Sequence, residues 1–598
     1  MKNRISLLIV TLIAVIEFTA VTFYYPKWEN KGTEAVISWD VSGYYMYLPA
    51  IFVYHDLKKC SFQNELIEKY GPCPDFQQAF LHSSGNYVMK YSSGQAIILS
   101  PAFFAAHAYC KITQKYPADG FSTPYQIAVA IWSLFISVFG LLLLRMVLLY
   151  YFTDGITAVT LFAVALCSNY FEYATFSGPM THNSLFTLYA LLLWLTIRFY
   201  ESPQKRTAIA IGALCGLAAI TRPTETISLL IPLFWGIGNW ESLRRRKNFF
   251  QKNLRLVVMA GIAFALMASI QIGYWKYVSG EWLVYSYQKQ GFDWFQPHIW
   301  NCLFSPKAGW LLYSPVMAFA LAGFYFLYKE KRILLVSCLV FVVPFTYMCF
   351  SWSEWWYGWS VGQRAMVQSY PIFAIPMAMC FTSMASFRWA RMALTLFLFL
   401  FLLYNLWVVH QSHRGALLRG PEMNGTYLWA ILGRWTVDDQ TMTLLDNTEY
   451  LNDPQTGQLI YENNFNNDTS ANAVVTGNSA DGRAIRVNKE LQTTAPYFLD
   501  EDLKKGKWYK VTADFSAKDI EWDMWHTCEW MLVFYDHGKE IKRNHVHVFR
   551  LIKLGRKKTL HFYARAPRIN FDNAAIQLDN LGSDKEVVMD ELKVYLVE

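Results

Sequence analysis

The stretch "GQAIILSPAFFAAHAYC", residues 94–110, is apolar enough to pass for a membrane helix, and whether it crosses sets the sidedness of everything after it. A bilayer core about 30 Å thick takes roughly 20 apolar residues in a helix. Eleven other runs meet or approach that length: 5–25, 122–149, 156–172, 182–200, 207–221, 224–240, 254–278, 310–328, 332–351, 364–384 and 391–410. Basic residues gather on the cytoplasmic side of membrane proteins. With eleven spans and a cytoplasmic N-terminus, "SPQKR" (202–206), "RRRK" (244–247), "KEKR" (329–332) and "RWAR" (388–391) all fall inside. A twelfth span at 94–110 would put all four outside. The stretch also carries Pro101, so it is expected to lie on the outer surface as an amphipathic or re-entrant segment of one long loop, roughly 26–121.

Length alone, 598 residues, would suggest several soluble domains, but 54% of the residues are hydrophobic. Residues 1–410 hold 30 Lys and Arg against 18 Asp and Glu, whereas 411–598 hold 23 against 27. The basic excess therefore sits at the ends of apolar runs and calls for no nucleic-acid partner. The first run is read as an uncleaved span, because Phe18 stands where a signal peptidase wants a small residue before its best cleavage point after Ala20. Residues 411–598 show short alternating runs instead, among them "KWYKVTADF", "EWMLVFYDH", "HVHVFRLI", "KTLHFYARA", "AAIQLD" and "ELKVYLVE". These predict an antiparallel β-sandwich of jelly-roll type, placed outside by the same parity. The expected organisation is a polytopic α-helical domain over 1–410, a linker over 411–435 and an extracytoplasmic β-sandwich over 436–598. Ten cysteines form no CxxC pair; Cys60 and Cys73 share the outer loop and are the favoured candidates for a disulfide.

Polar residues converge on the outer side in this topology. "SWDVSGYYMYLPA" (38–50) contributes Asp40, Tyr44 and Tyr45; "FEYATFSGPMTHN" (171–183) contributes Glu172, His182 and Asn183. "TRPTE" (221–225) adds Arg222 and Glu225, and "SPKAGW" (305–310) adds Lys307. "WSEWWYGWSVGQR" (352–364) brings Trp356, Trp359 and Arg364. Outward cations at helix ends suit an anionic ligand. Each residue also has a plainer reading: rings at an interface anchor the bilayer, His182 serves as a hydrogen-bonded loop residue, and Asp40 caps a turn. No HExxH motif points to zinc.

The acid beside tyrosines in the first loop, with "KYSSGQAIILSPAFFAAH" (90–107), "GLAAITRPTE" (216–225), "LFSPKAGWLLYSP" (303–315) and "WYGWSVGQRAMVQSYPIFAIPMA" (356–378), resembles the GT-C superfamily of integral-membrane glycosyltransferases. The likeness is to the bacterial branch of protein O-mannosyltransferases and the lipid A aminoarabinose transferase. It covers roughly 1–410 and implies a polyprenyl-phosphate-linked sugar as donor and an extracytoplasmic glycan, lipid or protein as acceptor. It further implies Asp40 at the reaction centre, with Glu172 as the second acid, and juxtamembrane helices over 44–55 and 94–110. Arg222, Lys307 and Arg364 would then hold the donor phosphate, and Tyr44, Tyr45, His182, Trp356 and Trp359 the sugar or lipid. The implied place is the bacterial inner membrane with the site facing the periplasm. No soluble cofactor is needed, since phosphate is already a good leaving group. Relatives often pair two acids where "WDVSGYY" has one, so a divalent metal stays open. The sandwich resembles carbohydrate-binding jelly rolls. The competing readings are a transporter or flippase of a lipid-linked glycan, and a non-catalytic envelope assembly protein.

Overall fold

The computed structural model describes residues 3–449, 451, 457–475, 482–499, 503–517, 528–552 and 557–597. The chain divides into two compact units, Met1–Pro421 and Glu422–Glu598, with the division inside the expected linker. That linker is partly helical, with Gly425–Ile431 capped by the Asn424 side chain.

Among the described residues seven helices are long and apolar enough to cross a membrane: Ile5–Glu29, Gly94–Thr113, Thr123–Tyr151, Leu254–Ser279, Arg332–Phe350, Arg364–Ala385 and Arg388–His413. The other expected spans are helical but shorter or more polar. Asp154–Leu166 has 13 residues, Lys205–Thr221 has 17, and Met317–Glu330 has 14. Thr181–Glu201 has 21 residues but opens on the polar "THNS". The run 224–240 is not one helix. It forms a 3-10 segment, Pro223–Leu229, and a single α-turn, Leu230–Phe234. Pro232 removes an amide there, and Gly236 at φ +81° turns the chain toward the amphipathic helix Trp240–Lys252, which carries "RRRK". Of the expected spans, 224–240 is thus not one continuous helix. Residues 94–113 make one helix of 20 residues, and its assignment to the outer surface rests on the charge pattern.

Small residues let the helices meet. Lys205–Thr221 packs on Leu254–Ser279 through Gly212 and Gly216, where an added Cβ would stand 1.9 Å from the Ala260 carbonyl oxygen and 2.6 Å from the Met267 Cβ. Backbone contact at this spacing replaces the hydrophobic drive that lipid does not supply. The loop that precedes Gly94–Thr113 folds over that helix. Its helices Trp39–Tyr45 and Tyr47–Phe52 pack there, and strands β1 (Ala79–Leu81) and β2 (Tyr87–Met89) form a hairpin. The single juxtamembrane helix expected over 44–55 is therefore two short ones. The ten cysteines are buried free thiols, so Cys60 and Cys73 are not joined. The Cys73 thiol instead lies 2.6 Å from the Asp75 carbonyl oxygen and 2.8 Å from the Gln78 side-chain amide.

The second unit is the expected antiparallel sandwich. Its strands are β3 (Gln458–Asn463), β4 (Ala473–Val475), β5 (Arg483–Val487), β6 (Tyr497–Phe498), β7 (Trp508–Ala517), β8 (Glu529–Asp536), β9 (Lys539–His547), β10 (Lys558–Arg565), β11 (Asn573–Asp579) and β12 (Val587–Val597). One sheet runs β10-β7-β12-β5-β4 with β3 also paired to β12, and the other runs β6-β11-β8-β9. Strict alternation in β7 sends Phe515 inward against Trp530 of the other sheet, ring centroids 5.0 Å apart, with Phe562 on the same tryptophan at 4.8 Å. Glu598, the last residue of the run "ELKVYLVE", and residues 518–527 lie outside the described residues.

Candidate active site

Asp40 is the second residue of the helix Trp39–Tyr45. The helix starts under strain, since Trp39 has φ +46°, a left-handed conformation costing an L-residue on the order of 1–2 kcal/mol. Both carboxylate oxygens are engaged. Tyr91 donates its hydroxyl to Oδ1 at 2.6 Å, and Arg364 donates Nη2 to Oδ2 at 2.7 Å across 324 residues of sequence. Gly43 makes the first contact possible: a Cβ there would stand 2.3 Å from a Tyr91 ring carbon. Tyr44, one turn from Asp40 on the same helix face, stacks on Tyr91 with centroids 4.4 Å apart, and Tyr91 meets Tyr287 edge-on at 6.2 Å. Lys90 reaches over both Tyr91 and Tyr287, at 5.7 and 5.9 Å from their centroids.

Two guanidinium groups share one ring. Arg222 and Arg364 lie 6.0 and 5.9 Å from the centroid of Tyr357, whose φ of +54° begins a left-handed turn continued by Gly358 at +66°. Arg222 ends the helix Lys205–Thr221 in an extended conformation ahead of Pro223, which directs its side chain off the helix. Among the described residues the Arg222 guanidinium makes no hydrogen bond or ion pair within 4 Å, and the buried Nε of Arg364 has no hydrogen-bond partner. The site thus holds more cationic donors than Asp40 satisfies.

The charge state of Asp40 follows. Burial pushes its carboxyl up, but Arg364, the Tyr91 hydroxyl and Lys90 together outweigh burial and hold it below the ordinary aspartate value. A partly desolvated carboxylate at the membrane edge is expected from sequence to have a raised pKa; the cations around Asp40 reverse that.

His182 stands behind the arginines in a buried relay. Its Nδ1 donates to Gln368 Oε1 at 2.8 Å, Gln368 donates to Glu225 at 2.6 Å, and Tyr189 donates to the same carboxylate at 2.5 Å. Tyr173 packs edge-on to His182 and hydrogen-bonds Ser360 and the Val361 amide.

Other expected residues are elsewhere. The Glu172 side chain binds His413 at 2.8 Å and Ser177 at 2.8 Å, in a second cluster with Tyr25 and Phe176 against the His413 ring. Burial pushes the Glu172 carboxyl up, but His413, Ser177 and Lys27 pull it below the ordinary glutamate value. Tyr45 is fully buried among Phe103 and Phe121, with its hydroxyl on the Gly120 carbonyl. Lys307 covers the Trp356 ring at 5.7 Å, and Trp359 is 44% exposed with its ring against Gly420. Lys90, Tyr91, Tyr287, Tyr357 and Gln368 join the site without having been singled out from sequence. Lys90 and Tyr91 open the quoted run "KYSSGQ", and Tyr357 interrupts a row of tryptophans; position in those runs was the available signal.

An apolar cavity of about 580 Å³ lies between Gly94–Thr113 and Thr123–Tyr151, lined by Pro101, Ala105, Tyr109, Ile127, Ile131 and Phe135 among others.

No protein-family model and no curated protein matches the chain. Among solved structures, the arabinosyltransferase EmbB of Mycobacterium smegmatis aligns over 100% of this chain at 10% identity with a TM-score of 0.38, and the chain spans 65% of that protein's length. A family 16 carbohydrate-binding module aligns over 20% of this chain and 82% of its own, at 11% identity and a TM-score of 0.16. The xylan-binding CBM22-1 domain of Paenibacillus barcinonensis Xyn10C aligns over 24% of this chain and 97% of its own, at 10% identity and a TM-score of 0.17.

Proposed function

We propose that the chain is an integral-membrane glycosyltransferase that moves a sugar from a polyprenyl-phosphate donor to an extracytoplasmic acceptor with inversion at the anomeric carbon. One observation carries the reading. The Asp40 carboxylate pairs with Arg364, which shares the Tyr357 ring with Arg222, and the two guanidinium groups have donors to spare. Arginine forks suit a phosphate bidentately, and buried unsatisfied donors are costly unless a ligand takes them.

The donor phosphate would take Arg222 and the free donors of Arg364, and would compete with Asp40 for Arg364. Losing that partner raises the basicity of Asp40 at the moment the donor is bound. Asp40 then removes the proton of the acceptor hydroxyl or amine as the acceptor attacks the anomeric carbon. The C–O bond to phosphate breaks on the opposite face, and the arginines hold the charge gathering on the departing polyprenyl phosphate. Tyr44, Tyr91 and Tyr287 offer ring faces to a sugar, and the apolar cavity beside Gly94–Thr113 offers room for an isoprenoid chain. The residues around Asp40 do not fit a divalent metal, because one carboxylate already engaged by Arg364 and Tyr91, with Lys90 close by, is the wrong donor set. No step is assigned to one.

The test is sugar transfer or donor hydrolysis in vesicles holding the purified protein and a polyprenyl-phosphate-linked sugar. Turnover by wild type and its loss in Asp40→Asn is the expected result. Turnover by neither sinks the enzyme reading, and movement of intact donor between leaflets would mark a flippase.

A further inference from the structure

The β-sandwich holds a cluster of imidazoles and carboxylates that the transfer reaction does not use. We propose that the sandwich contains a transition-metal site, with zinc the fitting ion, made by the Nε2 atoms of His545 and His547 and the Oε1 atom of Glu529.

The ladder brings these atoms together. His545 and His547 are two apart on β9 and so project from the same face, and Glu529 on β8 pairs directly with His547 in the antiparallel register. Glu529 Oε1 lies 3.4 Å from His547 Nε2 and 3.7 Å from His545 Nε2. Both separations exceed a good N–H···O hydrogen bond of about 2.9 Å. The Glu529 side chain makes no hydrogen bond among the described residues, although the rest of the cluster is tightly bonded. Ligands placed about 2.0–2.1 Å from a tetrahedral zinc stand roughly 3.3 Å from one another. Glu529 Oε1 therefore stands at ligand-to-ligand spacing from each of the two imidazole nitrogens, within a few tenths of an ångström. Two imidazoles and one carboxylate are also the donor types zinc takes, whereas calcium and magnesium ask for oxygen throughout.

Asp446 completes the arrangement from behind. Its Oδ1 accepts from His547 Nδ1 at 2.8 Å and its Oδ2 accepts from the His547 amide at 2.9 Å. This fixes the tautomer in which Nε2 carries the free lone pair, the role a carboxylate plays behind metal-bound histidines. Arg550 donates to Asp446 and pairs with Glu422 at 2.7 Å; with both its oxygens already taken by His547 and Arg550, Asp446 serves as a positioning residue. Asp446 is held below the ordinary carboxylate value; burial works against this, and His547 and Arg550 prevail. Metal binding would tie the end of β9 to β8, with a fourth position left to water.

The experiment uses the full chain in detergent, without a polyhistidine tag, stripped by a chelator, dialysed and titrated with Zn²⁺, then separately with Co²⁺. One equivalent of zinc per chain and the intense visible absorption of tetrahedral Co²⁺ are expected. His545→Gln/His547→Gln should abolish both, Glu529→Gln should weaken binding at least about tenfold, and Asp446→Asn should weaken it about 10–100-fold. The proposal falls if stripped wild type takes up no zinc, a measurement that needs no variant to fold. It falls equally if the double glutamine variant binds as wild type does, and an unchanged affinity in Asp446→Asn removes the positioning role.

Discussion

The Asp40 pocket and the Glu172 cluster begin alike and end differently. Each has a carboxylate beside a cation, at 2.7 Å from Arg364 in one and 2.8 Å from His413 in the other, and each carboxylate is held below its ordinary pKa. Around Glu172 the account closes, since His413 and Ser177 take the two oxygens and aromatic rings seal the imidazole. Around Asp40 it stays open: among the described residues the Arg222 guanidinium has no ion pair and Arg364 Nε no hydrogen-bond partner. An ion pair by itself is thus a poor sign of function; unspent donors beside one are the better sign.

The sharpest test of that contrast is Asp40→Asn, which keeps the shape and removes the charge. General-base assistance contributes typically about 10²–10⁴-fold, and turnover should fall by that factor. Donor affinity should hold or improve, because Arg364 loses its competing carboxylate. The pH profile of kcat/KM checks the charge state independently. With Asp40 held below the ordinary aspartate value by Arg364, Tyr91 and Lys90, its protonation should cut no acid limb near neutral pH. An acid limb near pH 6 that Asp40→Asn abolishes would restore the raised pKa expected from sequence alone.

Removing a phosphate donor should cost less. Charge-assisted hydrogen bonds are worth about 1.5–3 kcal/mol, so Arg222→Ala and Arg364→Ala should each raise the donor KM at least about tenfold. Arg364→Ala should also move the Asp40 limb to higher pH, since the first opposing charge on that carboxylate is gone. Arg222→Ala, whose side chain touches no carboxylate, should leave the profile in place. If the two arginines shift the profile equally, the division of labour between them is wrong.

How much of this was legible depends on the geometry each residue type imposes. The strands were legible because alternation in "KWYKVTADF" and its fellows is a period of two that nothing else mimics. The broken element at 223–234 was hidden, because hydropathy counts Pro232 among apolar neighbours while the backbone treats it as an interruption. The convergence of Asp40, Arg222 and Arg364 was expected from the charge pattern, which assigns all three to one side of the membrane. Which tyrosine faces Asp40 required the helix itself. Residues 40 and 44 lie on one face, and Tyr45, about 100° further round, goes to the core. The same turn separates Tyr173, which reaches Ser360, from Glu172, which reaches His413. Lys90 and Tyr91 were missed because the hairpin β1–β2 brings them back to Asp40 from 50 residues away, and no local pattern records that return.

The smallest effect on turnover belongs to Glu172→Gln, and it tests the closed half of the comparison. Glutamine keeps the shape, accepts one of the two hydrogen bonds through its single carbonyl oxygen and loses the charge and the second accepting oxygen, so turnover should stay within about threefold of wild type. Stability should respond instead. A carboxylate whose folded pKa is depressed stabilises the fold above its unfolded value, near 4.5, and that contribution fades as pH falls through the folded value. Thermal midpoints in detergent should therefore drop for wild type as pH is lowered below about 4.5. In Glu172→Gln the midpoint should be lower at neutral pH, by the equivalent of about 1–3 kcal/mol for a charge-assisted bond, and flatter on the acid side. A loss of turnover in Glu172→Gln as deep as that in Asp40→Asn would break the comparison, because Glu172 would then act on the reaction through the neighbouring Tyr173 and Ser360 rather than hold the helices together.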